Sequence, residues 1–221
     1  MTRLAIFDCD GTLVDSGATI YQALGLTFEQ HGIAVPPPHV GRRVIGLSLT
    51  EAMAGLVPDA TRDEHLVLAE DYKKQFIGLR AAGRVEEPLY PGILELLDAL
   101  EADGWLLAVA TGKSDRGLKH CLDAHGIRAR FVSLQTADRH PSKPHPSMIL
   151  QALADSGASA ADGLMIGDTS YDMAMAVAAG AVPVGVAWGY HDSDDLVAAG
   201  AVTVAQTPAE ILSFARGLDD G

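Results

Sequence analysis

Short apolar runs, each cut off by acid, glycine or threonine, recur along the chain. Residues 4–7 (LAIF) stop at Asp8 and read as a buried strand. Residues 105–110 (WLLAVA), 164–166 behind Gly163, and 182–187 (VPVGVA) have the same form. Pro183 cannot donate to a ladder, so the last of these is expected to begin just after it. Residues 131–134 and 201–204 are weaker strand candidates. Between the runs, apolar residues recur at helical spacing. Residues 91–102 place Ile93, Leu94, Leu96, Leu97 and Leu100 on such a pattern, with Pro91 suited to a first turn. Residues 114–125 open on the cap candidate Ser114 and stop before Gly126. Residues 147–155 and 172–179 read the same way, the latter stopping at Gly180. Strands alternating with helices predict an α/β fold, a parallel sheet covered on both faces.

Residues 16–87 break the alternation. They hold only helical patterns, at 20–31, 50–56 and 62–80, with a proline-rich turn at 36–38 between the first two. The segment reads as a helical insert after the first strand, with hinges near 15–17 and 86–91. Residues 1–15 and 88–221 would then form the α/β core, and 16–87 a second, smaller domain.

Composition narrows the partners. With 221 residues, 48% of them hydrophobic, the chain can bury a substantial core. A formal net charge of −13 disfavours nucleic acid and anionic membranes, since both carry negative charge. The two cysteines, Cys9 and Cys121, make no metal spacing and no disulfide framework, which suits a reducing compartment. The first apolar run is too short for a signal-peptide core, and no run approaches the ~20 apolar residues of a membrane span. A cytoplasmic, soluble protein is expected, as a monomer or homodimer.

Ligands of an open parallel sheet bind at the carboxyl ends of its strands. Asp8, Asp10, Gly11 and Thr12 follow the first strand, and Thr111, Gly112 and Lys113 follow 105–110. Gly167, Asp168, Thr169 and Asp172 follow 164–166, and Lys143 lies on the loop after 131–134. Phosphoryl transfer needs this mixture of groups. Charge builds on the phosphoryl oxygens, and a divalent cation held by hard carboxylate oxygens neutralises it. A lysine and backbone N–H groups hold the remaining oxygens. One carboxylate can attack phosphorus while a second moves the proton. Taken singly the residues are unremarkable: Asp-Gly is a turn pair, Thr111 and Asp168 suit helix caps, and Lys143 suits a solvated loop.

Taken in order, they carry a resemblance. FDCDGTLVDS resembles the DxDGT[LV] motif of the haloacid dehalogenase superfamily, and VATGKS its second motif. Lys143-Pro144-x-Pro146 and GDTSYD resemble its third and fourth. The resemblance implies a Rossmann-like doubly wound core with a small all-helical cap, as in phosphoglycolate-type phosphatases and β-phosphoglucomutases. It implies Asp8 as nucleophile and Mg2+ ligand, and Asp10 as acid/base with its backbone carbonyl on the metal. It implies Thr111 and Lys143 on the phosphoryl group, with Gly11, Thr12 and Gly112 around it. Asp168 would bind Mg2+ directly, and Asp172 would do so directly or through water, or hold Lys143.

Other signals are weaker. Gly112-Lys113-Ser114 looks like a P-loop tail, but Leu107 occupies the position of the leading glycine. His140 and His145 flank Lys143 without further ligands, and Cys9 points away from its acidic neighbours into a buried strand face. Asp10 favours phosphate chemistry over dehalogenation within the family. The stretch from Gly46 to Leu49 lacks the arginine of the mutase cap pattern GxSR, although Arg42 and Arg43 precede it. The expected activity is hydrolysis of a small phosphorylated metabolite, with 2-phosphoglycolate the leading substrate. A phosphosugar mutase, a pyrophosphatase and a phospho-accepting signalling module are the alternatives.

Overall fold

The computed structural model describes residues 2–218. Its centre is a six-stranded parallel sheet in the order β3-β2-β1-β4-β5-β6. The strands are β1 (Arg3–Phe7), β2 (Trp105–Thr111), β3 (Phe131–Thr136), β4 (Gly163–Gly167), β5 (Val182–Val186) and β6 (Thr203–Ala205). Both weaker candidates are therefore strands. Pro183 lies inside β5, contrary to expectation. Its carbonyl accepts from Val202 N at 2.9 Å. The N–H it lacks would face the same side, where β6 is only beginning, so little of the ladder is lost.

Alternation sorts each strand between two cores. Ala5 and Phe7 point to one face with Leu107 and Val109, against Ile93 and Leu97 of α5 (Ile93–Ala102) and Ile211 of α10 (Pro208–Gly217). Leu4 and Ile6 point to the other with Ala108 and Ala110, against Met148 and Ile149 of α7 (Ser147–Ser156) and Met175 of α8 (Ser170–Ala179). Each such large side chain contributes roughly 1.5–3 kcal/mol on burial. Helix α6 (Asp115–Ala124) is capped by Ser114, whose Oγ accepts from Gly117 N at 3.1 Å. The helix α9 (Ser193–Ala198), like α10, falls where the sequence pattern assigned none, since α9 buries only Leu196 and α10 only Ile211 and Ala215.

Between β1 and β2 the chain runs through α1 (Gly17–Gln30), α2 (Pro38–Arg42), α3 (Leu49–Leu56) and α4 (Arg62–Ala81) before α5. The non-helical stretch 33–37 holds Pro36 and Pro37, and α2, which the sequence pattern did not assign, begins after it with Pro38 at its first position, where no N–H is needed. Helices α1, α3 and α4 enclose a core of their own, including Leu24, Phe28, Met53 and Leu68. The two chain crossings run side by side: Asp15 N donates to Pro88 O at 2.8 Å and Tyr90 N to Leu13 O at 3.0 Å. No helix among the described residues is long and apolar enough to cross a membrane.

Candidate active site

The order of the strands brings the acidic residues together. β2 and β3 lie on one side of β1, and β4, β5 and β6 on the other, so the direction of winding reverses between β1 and β4. Phe7 is level with Val109 in β2 and Ile166 in β4. Within two residues beyond that level, Asp8, Thr111 and Asp168 emerge side by side. Asp8, Asp168 and Asp172 are buried, and one carboxylate oxygen from each lies within 4.8 Å of the others.

Lys143 is the cation among them. Its Nζ donates to Asp172 Oδ1 at 2.6 Å and lies 3.0 Å from Asp8 Oδ2. The second contact is a charge pair outside hydrogen-bonding geometry, so Asp8 Oδ2 is buried with no hydrogen bond. Its sister Oδ1 accepts from Cys9 N at 2.6 Å. Asp168 is braced from two sides, by Thr12 Oγ1 at 2.8 Å and Tyr190 N at 2.9 Å. Asp172 belongs to a capping box: its Oδ2 accepts from Thr169 N at 3.1 Å and Thr169 Oγ1 at 2.7 Å, while Thr169 Oγ1 accepts from Asp172 N. Gly11 has a φ of +83°, and a Cβ there would stand 2.2 Å from Asp168 Oδ2, so no other residue fits.

Three carboxylates face one ammonium, and the titration of the groups reflects it. Burial pushes the Asp8 carboxyl up to about 7, with Lys143 opposing and Asp172 and Asp10 reinforcing. Burial, then the Asp8 and Asp172 charges, hold Asp168 well above the usual carboxylate range. Burial alone would lower Lys143, but Asp172 and Asp8 reverse that and keep it protonated. The donors fit a hard divalent cation. They are all oxygen, they are negatively charged in excess, and one of them, Asp8 Oδ2, has a buried lone pair with nothing donating to it.

Asp10 is oriented differently. Its carboxylate accepts from Ser16 Oγ and lies 2.7 Å from Lys113 Nζ, which also reaches Glu87 at 2.8 Å. Its side chain is therefore outside the group of three carboxylates. Burial would lower Lys113, but Asp10 and Glu87 hold it well above its ordinary value. Thr111 is buried, and its Oγ1 accepts from Lys113 N at 3.2 Å. Thr12, expected at the phosphate, spends its hydroxyl on Asp168.

The profile of the family described as haloacid dehalogenase-like hydrolase matches residues 5–186. The chain belongs to that family. As a haloacid dehalogenase-like hydrolase it is 34% identical to "Probable phosphatase IndB" of Dickeya dadantii, over 99% of this chain and 95% of that protein. It is 31% identical to a phosphoglycolate phosphatase of Agrobacterium fabrum, over 87% of this chain and 83% of that one. The crystal structure of a hydrolase from Pseudomonas syringae superposes with a TM-score of 0.85 at 27% identity, over 100% of this chain and 99% of that one.

In this hydrolase the segment before α3 lies over the site. Ser48 N donates to Ser142 Oγ at 2.8 Å, and Tyr171 Oη donates to Arg43 O at 2.9 Å. A Cβ on Gly112 would meet Leu47 O at 2.5 Å, so the absence of a side chain lets the insert close down. Arg43 turns away to Asp195, 2.9 Å distant, rather than toward the carboxylates. His140 has both ring nitrogens engaged, with Ser147 and Gln135 at 2.8 Å. Cys9 is buried, 3.8 Å from Cys121 Sγ, and that contact, followed by burial, raises its thiol well above the ordinary value.

Four participants escape the sequence reading: Ser16, Glu87, Lys113 and Tyr190. Lys113 enters that reading as a strand-end residue and as part of a false P-loop, without a role at the site. Tyr190 follows β5, and the rule that ligands gather at strand ends points to that loop as well.

Proposed function

We propose that the protein is a magnesium-dependent phosphatase, hydrolysing a small organic phosphomonoester through an aspartyl-phosphate on Asp8. The observation that carries this is Asp8 Oδ2, a buried carboxylate oxygen with no hydrogen bond, 3.0 Å from Lys143 and beside two further buried carboxylates. A nucleophile has to keep a lone pair available, and here the protein leaves one. Asp8, Asp168 and Asp172 would hold Mg2+, joined by the Asp10 carbonyl. When bound, the ion supplies neutralisation of charge on the phosphoryl oxygens. Lys143 holds the Asp8 carboxylate and a phosphoryl oxygen, and Thr111, with the backbone from Gly11 to Thr12 and at Gly112, holds the others.

Asp8 attacks phosphorus and the ester P–O bond breaks. Asp10 gives its proton to the leaving alcohol, then takes one from the water that cleaves the aspartyl-phosphate, releasing inorganic phosphate. Ser16 and Lys113 keep the Asp10 carboxyl in place for this. We take residues 1–15 and 88–221 as the core and 16–87 as the cap, and place the enzyme in the cytoplasm, where its free thiols would remain reduced. The names of its relatives make 2-phosphoglycolate the first substrate to try.

The test is Asp8→Asn. It should lower magnesium-dependent phosphate release from p-nitrophenyl phosphate by about 10⁴ or more, with an unchanged circular dichroism spectrum. Turnover near the wild-type rate would overturn the assignment.

A further inference from the structure

A cavity of about 600 Å³ opens beside the site. On the core side it begins at Asp10, Gly112 and Lys113, and from there it extends between α1, α3 and α4. Its far wall is hydrocarbon: Ile20, Leu24, Leu49, Met53, Leu56 and Phe76. Phe76 joins the two parts, its ring centroid 5.7 Å from Lys113 Nζ, the same ammonium that holds Asp10.

The cations bordering this space are mostly matched. Lys113 faces both Asp10 and Glu87, at 2.7 and 2.8 Å. Arg80 pairs with Glu87 at 3.0 Å, Lys73 with Glu70 at 2.7 Å and Lys74 with Asp71 at 2.7 Å. Arg116 and His120 also border it, but both are exposed on α6 at the rim. A second anionic group carried into the interior would meet hydrocarbon and a balanced cluster, Lys113 and Arg80 against Asp10 and Glu87, with no surplus positive charge to receive it. Burying a charge without a partner is strongly unfavourable. The volume also exceeds what a two-carbon acid fills, and lies in the range of pockets that enclose larger organic ligands.

We propose that the alcohol portion of the substrate is a bulky, uncharged, apolar group of aromatic size, seated against Phe76 and the aliphatic wall. This rests on the phosphatase reading above and, on the shape and charge of the cavity, sets another class of phosphomonoester in place of 2-phosphoglycolate. The chemistry is unchanged: the ester P–O bond breaks, the alcohol leaves with the proton from Asp10, and water supplies the oxygen of inorganic phosphate.

Benzyl phosphate and 2-phosphoglycolate test it, both being esters of primary alcohols, so that leaving-group basicity is similar and the comparison reads the fit of the group. With Mg2+ and the full chain, kcat/KM for benzyl phosphate should exceed that for 2-phosphoglycolate by about tenfold or more. Phe76→Ala should lower the ratio of kcat/KM for benzyl phosphate to that for methyl phosphate by about tenfold. If that variant does not fold, the wild-type comparison decides alone. Equal or faster hydrolysis of 2-phosphoglycolate overturns this inference and leaves the phosphatase reading intact. No phosphate release from any of the esters sinks that reading, and this inference with it.

Discussion

The two walls of the cleft are built from opposite materials. The core wall gathers Asp8, Lys143, Asp168 and Asp172, all essentially without exposed surface, where each charge is costly unless it is answered. The wall formed by the helices between β1 and β2 offers Leu49, Met53 and Phe76, with its charges paired among themselves. One wall can polarise a phosphoryl group but cannot distinguish one alcohol from another. The other can select an alcohol by size and polarity but has no means of breaking a bond. Lys113 joins them, contacting Asp10 on the first wall and Glu87 where the chain returns from the second. Division of labour is therefore physical: the reaction needs dense charge in a dry place, and selection needs surface.

Substitutions on the two walls should separate these tasks. After loss of the nucleophile in Asp8→Asn, the largest effect is expected from Asp10→Asn, which keeps the shape of the side chain and removes its ability to move a proton. It should lower kcat by ~10²–10⁴ without a matching change in KM, measured by steady-state phosphate release. An unchanged kcat would remove Asp10 from the reaction.

Lys113→Met tests the link between the walls. It leaves Asp10 and Glu87 without their shared cation, and breaking a buried pair of this kind costs about 3–5 kcal/mol. The melting temperature should drop by about 10 °C. A drop below about 2 °C would mean that the ammonium contributes little to holding the walls together.

The surplus of negative charge on the core wall predicts a pH effect in the metal-free protein. The Asp8 carboxyl titrates at about 7 when folded and 3.8 when not, so the folded state prefers it protonated. That contribution is complete below the lower value and is lost as pH rises through the upper one. The melting temperature of the metal-stripped protein should therefore fall between about pH 4 and pH 7, and stabilisation by Mg2+ should grow over the same interval. Thermal melts with and without the ion check this, and a melting temperature that rises with pH would contradict it.

The smallest effect should come from the outer end of the insert. Thr61 caps α4, its Oγ1 accepting from Glu64 N at 3.3 Å while Glu64 reaches back to Thr61 N at 2.7 Å. Thr61→Ala should cost ~1 kcal/mol of stability, seen in denaturant unfolding. Its kcat should match the wild type, since the cap touches neither wall. A large loss of turnover would show that the insert's outer helix is coupled to the reaction.

How far these features could be anticipated depends on the range of the cause. Strand β1 and helix α5 were legible because burial writes a local pattern: Leu4 to Phe7 is one apolar run, and Ile93, Leu96, Leu97 and Leu100 recur at helical spacing. Helices α9 and α10 were not, because α9 buries only Leu196, and Ile211 and Ala215 of α10 make a faint stripe. The positions of the acids were legible from the strand ends. Their partners were less so. Thr12 braces Asp168 from 156 residues away, and Tyr190 N from 22 residues away, contacts that no local spacing encodes.

The sequence by itself determined which groups stand at the strand ends, because a strand must stop where its apolar run meets acid and glycine. It also determined that a helical insert follows the first strand, because residues 16–87 contain no apolar run of strand form. Only the tertiary structure decided what those groups face. The order of the strands set Asp8 beside Asp168, and closure of the insert set Leu47 against Gly112. It also left a lone pair on Asp8 with no donor and a hydrocarbon cavity next to Asp10. Charge and shape in a cleft depend on neighbours in space, and the chain becomes a cleft only when its distant parts meet.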